Sequence, residues 1–208
     1  VAPKILEDGG PNLDLLEPEG EPTSGGFADV RFYRHKSSGD LLALKKGKDT
    51  EAGRRQIRAE MEFLRTAPAD GNIVKMVEAK AYSILLRKEP RTLRGLQRGS
   101  SHPNPAQVVR VLGGVLSAVD WTYSAGFIHR DIKPENILVS EEGEGILADF
   151  GLILRRDLAH LPSNVGWGTL DYAALEVGST GSTLVSDLFS VSVCFVELML
   201  DVCPFDGE

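Results

Sequence analysis

The hydrophobic period changes once along this chain, and that change limits the folds open to it. From Gly26 to Lys46 the pattern is that of strands. Val30, Phe32 and Tyr33 form one short run, Ser37-Ser38-Gly39-Asp40 reads as a turn, and Leu41 to Lys46 forms a second run. A helix is expected over about residues 51–65, closed by Pro68 and Gly71, with further short strands at 73–78 and 82–86. Beyond Arg87-Lys88-Glu89-Pro90 the period becomes helical. Val108, Val111, Leu112, Val115 and Val119 recur at helical spacing within 106–123, and a strongly apolar helix is expected at 184–200. Strands first and helices later predict an α+β chain with a small β-rich lobe, residues 1–88, and a mainly helical lobe, residues 89–208. Residues 1 to about 20, rich in Gly, Pro and Glu, read as a lead-in with little fixed structure.

Composition removes several function classes. A net charge of −7 gives no electrostatic case for nucleic acid or an anionic membrane. The apolar stretch at 191–200 is interrupted by Ser192 and Glu197 and falls short of the roughly 20 residues of a membrane span. Two cysteines, Cys194 and Cys203, make no disulfide framework and no zinc spacing. A soluble protein of a reducing, cytoplasmic compartment is the expectation.

The polar residues that carry chemistry sit at marked places in this pattern. Alternation along β-patterned 41–46 puts Ala43 and Lys45 on one face and Leu42 with Leu44 on the other. The helix that follows offers two glutamates. At 100° per residue Ile57, Phe63 and Leu64 flank Glu60, whereas Glu62 points to the opposite side. A glutamate on an apolar helix face is costly unless paired, and Lys45 is the natural partner. Such a pair would hold a lysine against nucleotide phosphates.

The densest signal is His129-Arg130-Asp131-Ile132-Lys133-Pro134-Glu135-Asn136, followed by Asp149-Phe150-Gly151. Asp131 is placed to orient an attacking hydroxyl and accept its proton, a contribution of about 10²–10⁴-fold. Lys133 can neutralise a moving phosphoryl group. Asn136 and Asp149 offer oxygen ligands of the kind magnesium takes alongside phosphate oxygens. They flank Ile137-Leu138-Val139 and the turn after it, so a hairpin would bring them together.

In that order these residues resemble the eukaryotic-type protein kinases, over nearly the whole chain from about Gly20. The resemblance implies a two-lobe protein-kinase-like fold, ATP and Mg2+ as cofactors, and protein substrates. Lysine at 133 resembles the serine/threonine class, and Gly168 to Glu176 resembles the end of an activation segment. It assigns catalysis to Asp131, Lys133 and Asn136, and the metal to Asn136 and Asp149. Nucleotide contacts fall to Gly25, Gly26, Val30, Ala43, Lys45, Glu60, Leu86, Lys88 and Leu138. Leu85 becomes the residue before a hinge at 86–88, and Leu64, Met76, His129 and Phe150 match the family's internal hydrophobic stack. Asp187 is expected to hold the catalytic loop through backbone hydrogen bonds, and Thr169 to contact Asp131 and Lys133.

Four departures from the family pattern stand out. Its three nucleotide-loop glycines correspond to Thr23, Gly25 and Ala28, with Gly26 added, and its Ala-Pro-Glu is Ala174-Leu175-Glu176. The usual activating phosphosite corresponds to Val165, with Ser163 nearby as a substitute. Relatives continue through more helices, implying a truncated C-lobe whose apolar face near 191–200 is exposed or covered by local packing or a partner chain. Glu176 is then solvated or paired with Arg155 or Arg156. Glu135 offers a contact for a basic residue of the substrate. Two alternatives to an active serine/threonine kinase remain open: a pseudokinase or scaffold that binds without turnover, and a minimal kinase completed by a partner.

Overall fold

The computed structural model describes residues 4–5, 13–69, 71–97, 103–160, 168–201 and 204–205. Ser163, Val165 and Cys203 lie outside the described residues. The chain divides into two compact units, residues 1–69 with 74–89 and residues 70–73 with 90–208.

Among its described residues the first unit is a sheet with one α-helix. Its strands are β1 (Lys4–Ile5), β2 (Leu16–Pro18), β3 (Thr23–Ser24), β4 (Ala28–His35), β5 (Leu41–Gly47), β6 (Met76–Lys80) and β7 (Ser83–Arg87). The sheet order is β1-β6-β7-β5-β4-β2, with β3 also on β4. All pairs are antiparallel except β1 with β6. The expected unstructured lead-in is therefore corrected over its described residues 13–20. Leu13–Leu15 forms a 3-10 turn, and β2 pairs Leu16 with His35 and Pro18 with Tyr33. One apolar side chain explains it: Leu16 is buried with Tyr33, Leu42 and Leu85, and the surrounding Gly, Pro and Glu conceal that anchor in the sequence.

Helix α1 (Glu51–Leu64) starts where Thr50 accepts a hydrogen bond from the Gly53 amide. Its inner face buries Ile57, Glu60, Phe63 and Leu64, while Glu62 is exposed. The strand expected at 73–78 begins later, at Met76, because Ile73 is drawn away to bridge Leu147 in the second unit. Leu86 and Arg87, expected in a hinge, continue β7 in register with Ala43 and Leu42.

The second unit is built on two long helices. Helix α3 (Pro105–Ser124) opens with a reciprocal cap between Asn104 and Gln107 and buries Val111, Val115, Ala118 and Val119. Helix α5 (Leu184–Leu200) opens with the same device from Thr183 and Ser186. It packs on α3 and buries Val191, Cys194, Phe195 and Leu198, leaving Val196, Met199 and Leu200 exposed. The apolar expectation near 191–200 is thus met by local packing on one face and by exposure on the other. The Cys194 thiol is free and, being buried, titrates well above its ordinary range.

Short elements complete the second unit. They are β8 (Arg91–Thr92), α2 (Leu93–Gln97), β9 (Phe127–Ile128), β10 (Ile137–Val139), β11 (Gly145–Leu147), β12 (Leu154–Arg155) and α4 (Val177–Thr180). β10 pairs with β11 and with β8, and β12 pairs with β9. Among its described residues, the segment from Phe150 to Glu176 holds β12 and 3-10 turns at Phe150–Leu152, Arg156–Leu158 and Leu170–Tyr172. The β10–β11 hairpin lies tight on α3. A Cβ on Gly145 would fall 2.1 Å from the Val111 carbonyl oxygen, and one on Gly114 would fall 2.3 Å from the Gly145 carbonyl oxygen. No helix among the described residues is long and apolar enough to cross a membrane.

Candidate active site

In the first unit the expected ion pair is formed. Lys45 Nζ lies 2.7 Å from Glu60 Oε2, with Glu60 fully buried and the Lys45 side chain 12% exposed. Directly paired residues of an antiparallel sheet share a face. Val30 pairs with Lys45, Phe32 with Ala43, and Ala43 with Leu86, so these residues line one side of the sheet. Leu85 lies on the other side, packed with Leu16, Tyr33 and Leu42. Lys88 holds its ammonium 4.7 Å from the centre of the Phe32 ring, a cation–π contact on that same side. At the turn between β3 and β4 the Gly25 amide donates to the Ala28 carbonyl at 2.9 Å, so its hydrogen is committed to the hairpin. Gly26 is exposed, and a Cβ there would meet nothing within 4 Å.

In the second unit the loop 129–136 is held from beneath. Asp187 Oδ2 accepts the His129 amide at 2.8 Å, and its Oδ1 accepts the Arg130 amide at 3.0 Å. Burial raises the carboxyl pKa of Asp187, opposed by the nearby His129 ring and these two amide bonds. Arg130 adopts a left-handed backbone (φ 73°), which such anchoring offsets. The Asp131 amide donates to His129 Nδ1 at 3.2 Å, which leaves Nε2 to donate to the Ala148 carbonyl at 3.0 Å. The buried His129 ring also meets Phe150 edge-on, with centroids 4.7 Å apart.

Above this support the carboxylate of Asp131 is surrounded by donors. Lys133 Nζ donates to Oδ2 at 2.8 Å, Asn136 Nδ2 to Oδ2 at 3.1 Å, and the Thr169 hydroxyl to Oδ1 at 2.7 Å. Lys133 also donates to Thr169 Oγ1 at 2.9 Å, closing a ring of three side chains. Gly168 makes the approach of Thr169 feasible: at φ 112°, a Cβ would fall 2.4 Å from the Arg130 carbonyl oxygen. Arg130 itself donates through Nε to the Leu152 carbonyl at 2.7 Å.

Asn136 and Asp149 are brought to the open end of the β10–β11 hairpin, where the Ala148 amide donates to the Asn136 carbonyl at 2.9 Å. Asn136 Nδ2 donates to the Asp131 backbone carbonyl at 2.8 Å, which fixes the amide and presents its oxygen as the remaining polar atom. Asp149, in a left-handed conformation (φ 61°), supplies a carboxylate. An amide oxygen and a carboxylate fit magnesium, which takes oxygen ligands and few protein side chains. Among the described residues no group of three or more His, Cys, Asp or Glu forms an alternative metal cluster. Leu138, half-buried in β10, pairs with Thr92 and Ile146.

One constellation escaped the sequence reading. Arg94 on α2 binds Glu135 (Nε to Oε1, 2.7 Å), the Tyr172 hydroxyl (2.6 Å) and Glu197 on α5, and Tyr172 donates to Glu197 Oε2 at 2.7 Å. Burial works against the guanidinium charge, yet the bonds to Glu135, Glu197 and Tyr172 outweigh it and raise the Arg94 pKa. Burial and the bond to Glu197 raise that of the Tyr172 phenol. Glu135, expected to await a basic residue from outside, is met by Arg94 of its own chain. Glu176 is exposed, since Arg155 pairs with Asp157 at 2.7 Å and Arg156 donates to the Tyr123 carbonyl.

The family model for the protein kinase domain matches residues 21–208. A serine/threonine-protein kinase PknL of Mycobacterium tuberculosis is 41% identical over 124 residues, 58% of this chain and 31% of that protein. A probable serine/threonine-protein kinase of Clostridium perfringens is 30% identical over 220 residues, covering 99% of this chain and 30% of its own length. A CBL-interacting serine/threonine-protein kinase 5 of Arabidopsis thaliana is 29% identical over 205 residues, 88% of this chain and 44% of that protein. The chain thus spans less than half the length of these relatives. On the strength of the matched domain and of the loop geometry around Asp131, the chain belongs to the protein kinase domain family.

Proposed function

We propose that this chain transfers the γ-phosphate of ATP to serine or threonine hydroxyls of protein substrates. The observation that carries the reading is the Asp131 carboxylate, oriented by Lys133, Asn136 and Thr169 over a loop that Asp187 anchors. In this reading Asp131 orients the acceptor hydroxyl and takes its proton as the new P–O bond forms and ADP leaves. Lys133 neutralises charge on the moving phosphoryl group. Asn136 and Asp149 would hold Mg2+, which would supply positive charge against the phosphate groups. Lys45, fixed by Glu60, holds the nucleotide phosphates, and Val30, Ala43, Leu86, Lys88 and Leu138 take its apolar and hinge contacts. A phosphate contact at the β3–β4 turn falls to Gly26, because the amide of Gly25 is engaged. That similar proteins are serine/threonine-protein kinases supports the serine/threonine class.

The test is transfer of radiolabelled phosphate from ATP to a protein acceptor by the chain and by Asp131→Asn. The variant is expected to lose at least 10²-fold in rate while still binding Mg-ATP. Equal rates in the two proteins would remove Asp131 from the chemistry. A chain that binds Mg-ATP and transfers nothing would be a nucleotide-binding pseudokinase, a reading favoured by the altered nucleotide turn at Thr23, Gly25 and Ala28.

A further inference from the structure

The first unit carries a concave feature on residues that none of the nucleotide or transfer assignments use. It is an open cleft of about 650 Å³ bounded by the β4–β5 turn, the end of α1 and the start of β6. One part of its wall is apolar, with Leu42, Leu64, Pro68 and Val77. The other part is cationic, with Arg65, Lys75 and Arg87, and among the described lining residues Asp40 is the one carboxylate. Asp40 already accepts a hydrogen bond from the Ser38 hydroxyl at 2.6 Å.

Three features of this wall point to an anionic ligand. Arg65 and Lys75 form no ion pair among the described residues, and Arg87 approaches Glu89 only to 4.0 Å. His35 also lines the cleft, and the Ser38 amide donates to its Nδ1 at 3.3 Å, which leaves Nε2–H as the donor of the neutral ring. A surplus of positive charge here runs against a chain whose net charge is −7. Cations of one sign lining a cleft raise the local potential for an anion, and charge-assisted hydrogen bonds from guanidinium or ammonium are the stronger kind. The volume lies within the range of small-molecule sites, and an apolar wall beside a few convergent polar groups is their usual composition.

We propose that this cleft binds a small anionic amphiphile, its phosphate or carboxylate head on Arg65, Lys75 and Arg87 and its apolar body against Leu42, Leu64 and Pro68. The test is calorimetric titration of the chain with decyl phosphate, kept below its micelle-forming concentration, beside inorganic phosphate and decanol. Saturable 1:1 binding of decyl phosphate is expected, with both partial probes at least tenfold weaker. The double variant Arg65→Glu/Lys75→Glu removes cations from the head site, and Ala67→Phe fills the apolar part. Each should weaken decyl phosphate binding at least tenfold while leaving the ligand-free thermal midpoint unchanged. Absence of saturable binding, equal binding of decanol or of inorganic phosphate, or full retention of binding in both variants would overturn the assignment.

Discussion

Arg94 binds Glu197 across 103 residues of sequence, and the same guanidinium reaches Glu135 and Tyr172. One side chain therefore ties α2, the loop carrying Asp131, the turn at Leu170–Tyr172 and α5. Glu197 is 7% exposed, so removing its partner leaves a nearly buried carboxylate beside a phenol. Breaking a buried pair on one side costs more than replacing both members. Arg94→Met is expected to destabilise by about 3 kcal/mol, trimmed by the partial exposure of Arg94. The double variant Arg94→Met/Glu197→Leu should recover a large part of that loss. Urea unfolding midpoints of the two single variants, the double variant and the parent chain close the cycle; additive losses would mean the pair is not coupled.

Thr169 separates positioning from binding. Its hydroxyl donates to Asp131 and accepts from Lys133, the two side chains assigned to the transfer step. Thr169→Val keeps the shape and deletes both bonds. It is expected to lower kcat by about 10–100-fold, the order of a lost positioning contact, with KM for ATP little changed. Thr169→Ser restores the hydroxyl and should restore most of kcat. Steady-state kinetics with both variants check this, and a loss confined to KM would show that Thr169 serves binding instead.

Much of this site was legible because its residues lie close in sequence or on a regular period. Lys45 and Glu60 were found from strand alternation and helix angle, and their 2.7 Å contact follows from the same geometry. Asn136 and Asp149 were joined by the short hairpin between them. Arg94 carried no such signal. It sits in the five-residue helix α2, too short for a period, and its partners at 135, 172 and 197 are brought to it only by tertiary packing. Leu16 was hidden in a Gly-, Pro- and Glu-rich segment because a single buried side chain sets no pattern. Ile73 reads as the start of a strand, yet it belongs to the second unit, where it bridges Leu147, 74 residues away in sequence, and non-local pairing overrides the local pattern.

Asp187 couples the loop to pH. Its carboxyl pKa is raised above the ordinary 3.8 by burial, so the folded chain holds this proton to higher pH than the unfolded chain does. Between the two pKa values the folded state binds more protons, and this residue's contribution to stability falls as pH rises. It is fully present below the unfolded value and lost as pH passes through the folded one. Asp187→Asn cannot titrate, so the stability difference between parent and variant should narrow as pH rises through that window. The variant is also expected to be less stable by about 1–3 kcal/mol, since one amide of the His129–Arg130 pair loses its acceptor. Denaturant unfolding of both proteins from pH 4 upward tests the slope, and parallel curves would show that Asp187 titrates alike in the folded and unfolded chains.

Gly145 sets how closely the hairpin bearing Asn136 and Asp149 can lie on α3. An added Cβ would meet the Val111 carbonyl oxygen at 2.1 Å and Val115 Cγ2 at 2.9 Å, and the first contact is with backbone that cannot swing aside. The opposing Gly114 is equally close to the hairpin, so the relief has to come from separating β11 and the helix. Gly145→Ala is therefore expected to cost about 1–3 kcal/mol, the range for overpacking. For a chain of this size that lowers the thermal midpoint by about 2–4 °C per kcal/mol. Because β10 and β11 bring Asn136 and Asp149 together, the separation should also weaken Mg2+ binding, raising the Mg2+ concentration needed for half-maximal transfer rate. Gly113→Ala is the control: its neighbour position on α3 meets nothing within 4 Å and should change neither quantity. A Gly145→Ala protein with the parent's midpoint would show that the hairpin does not depend on this close approach.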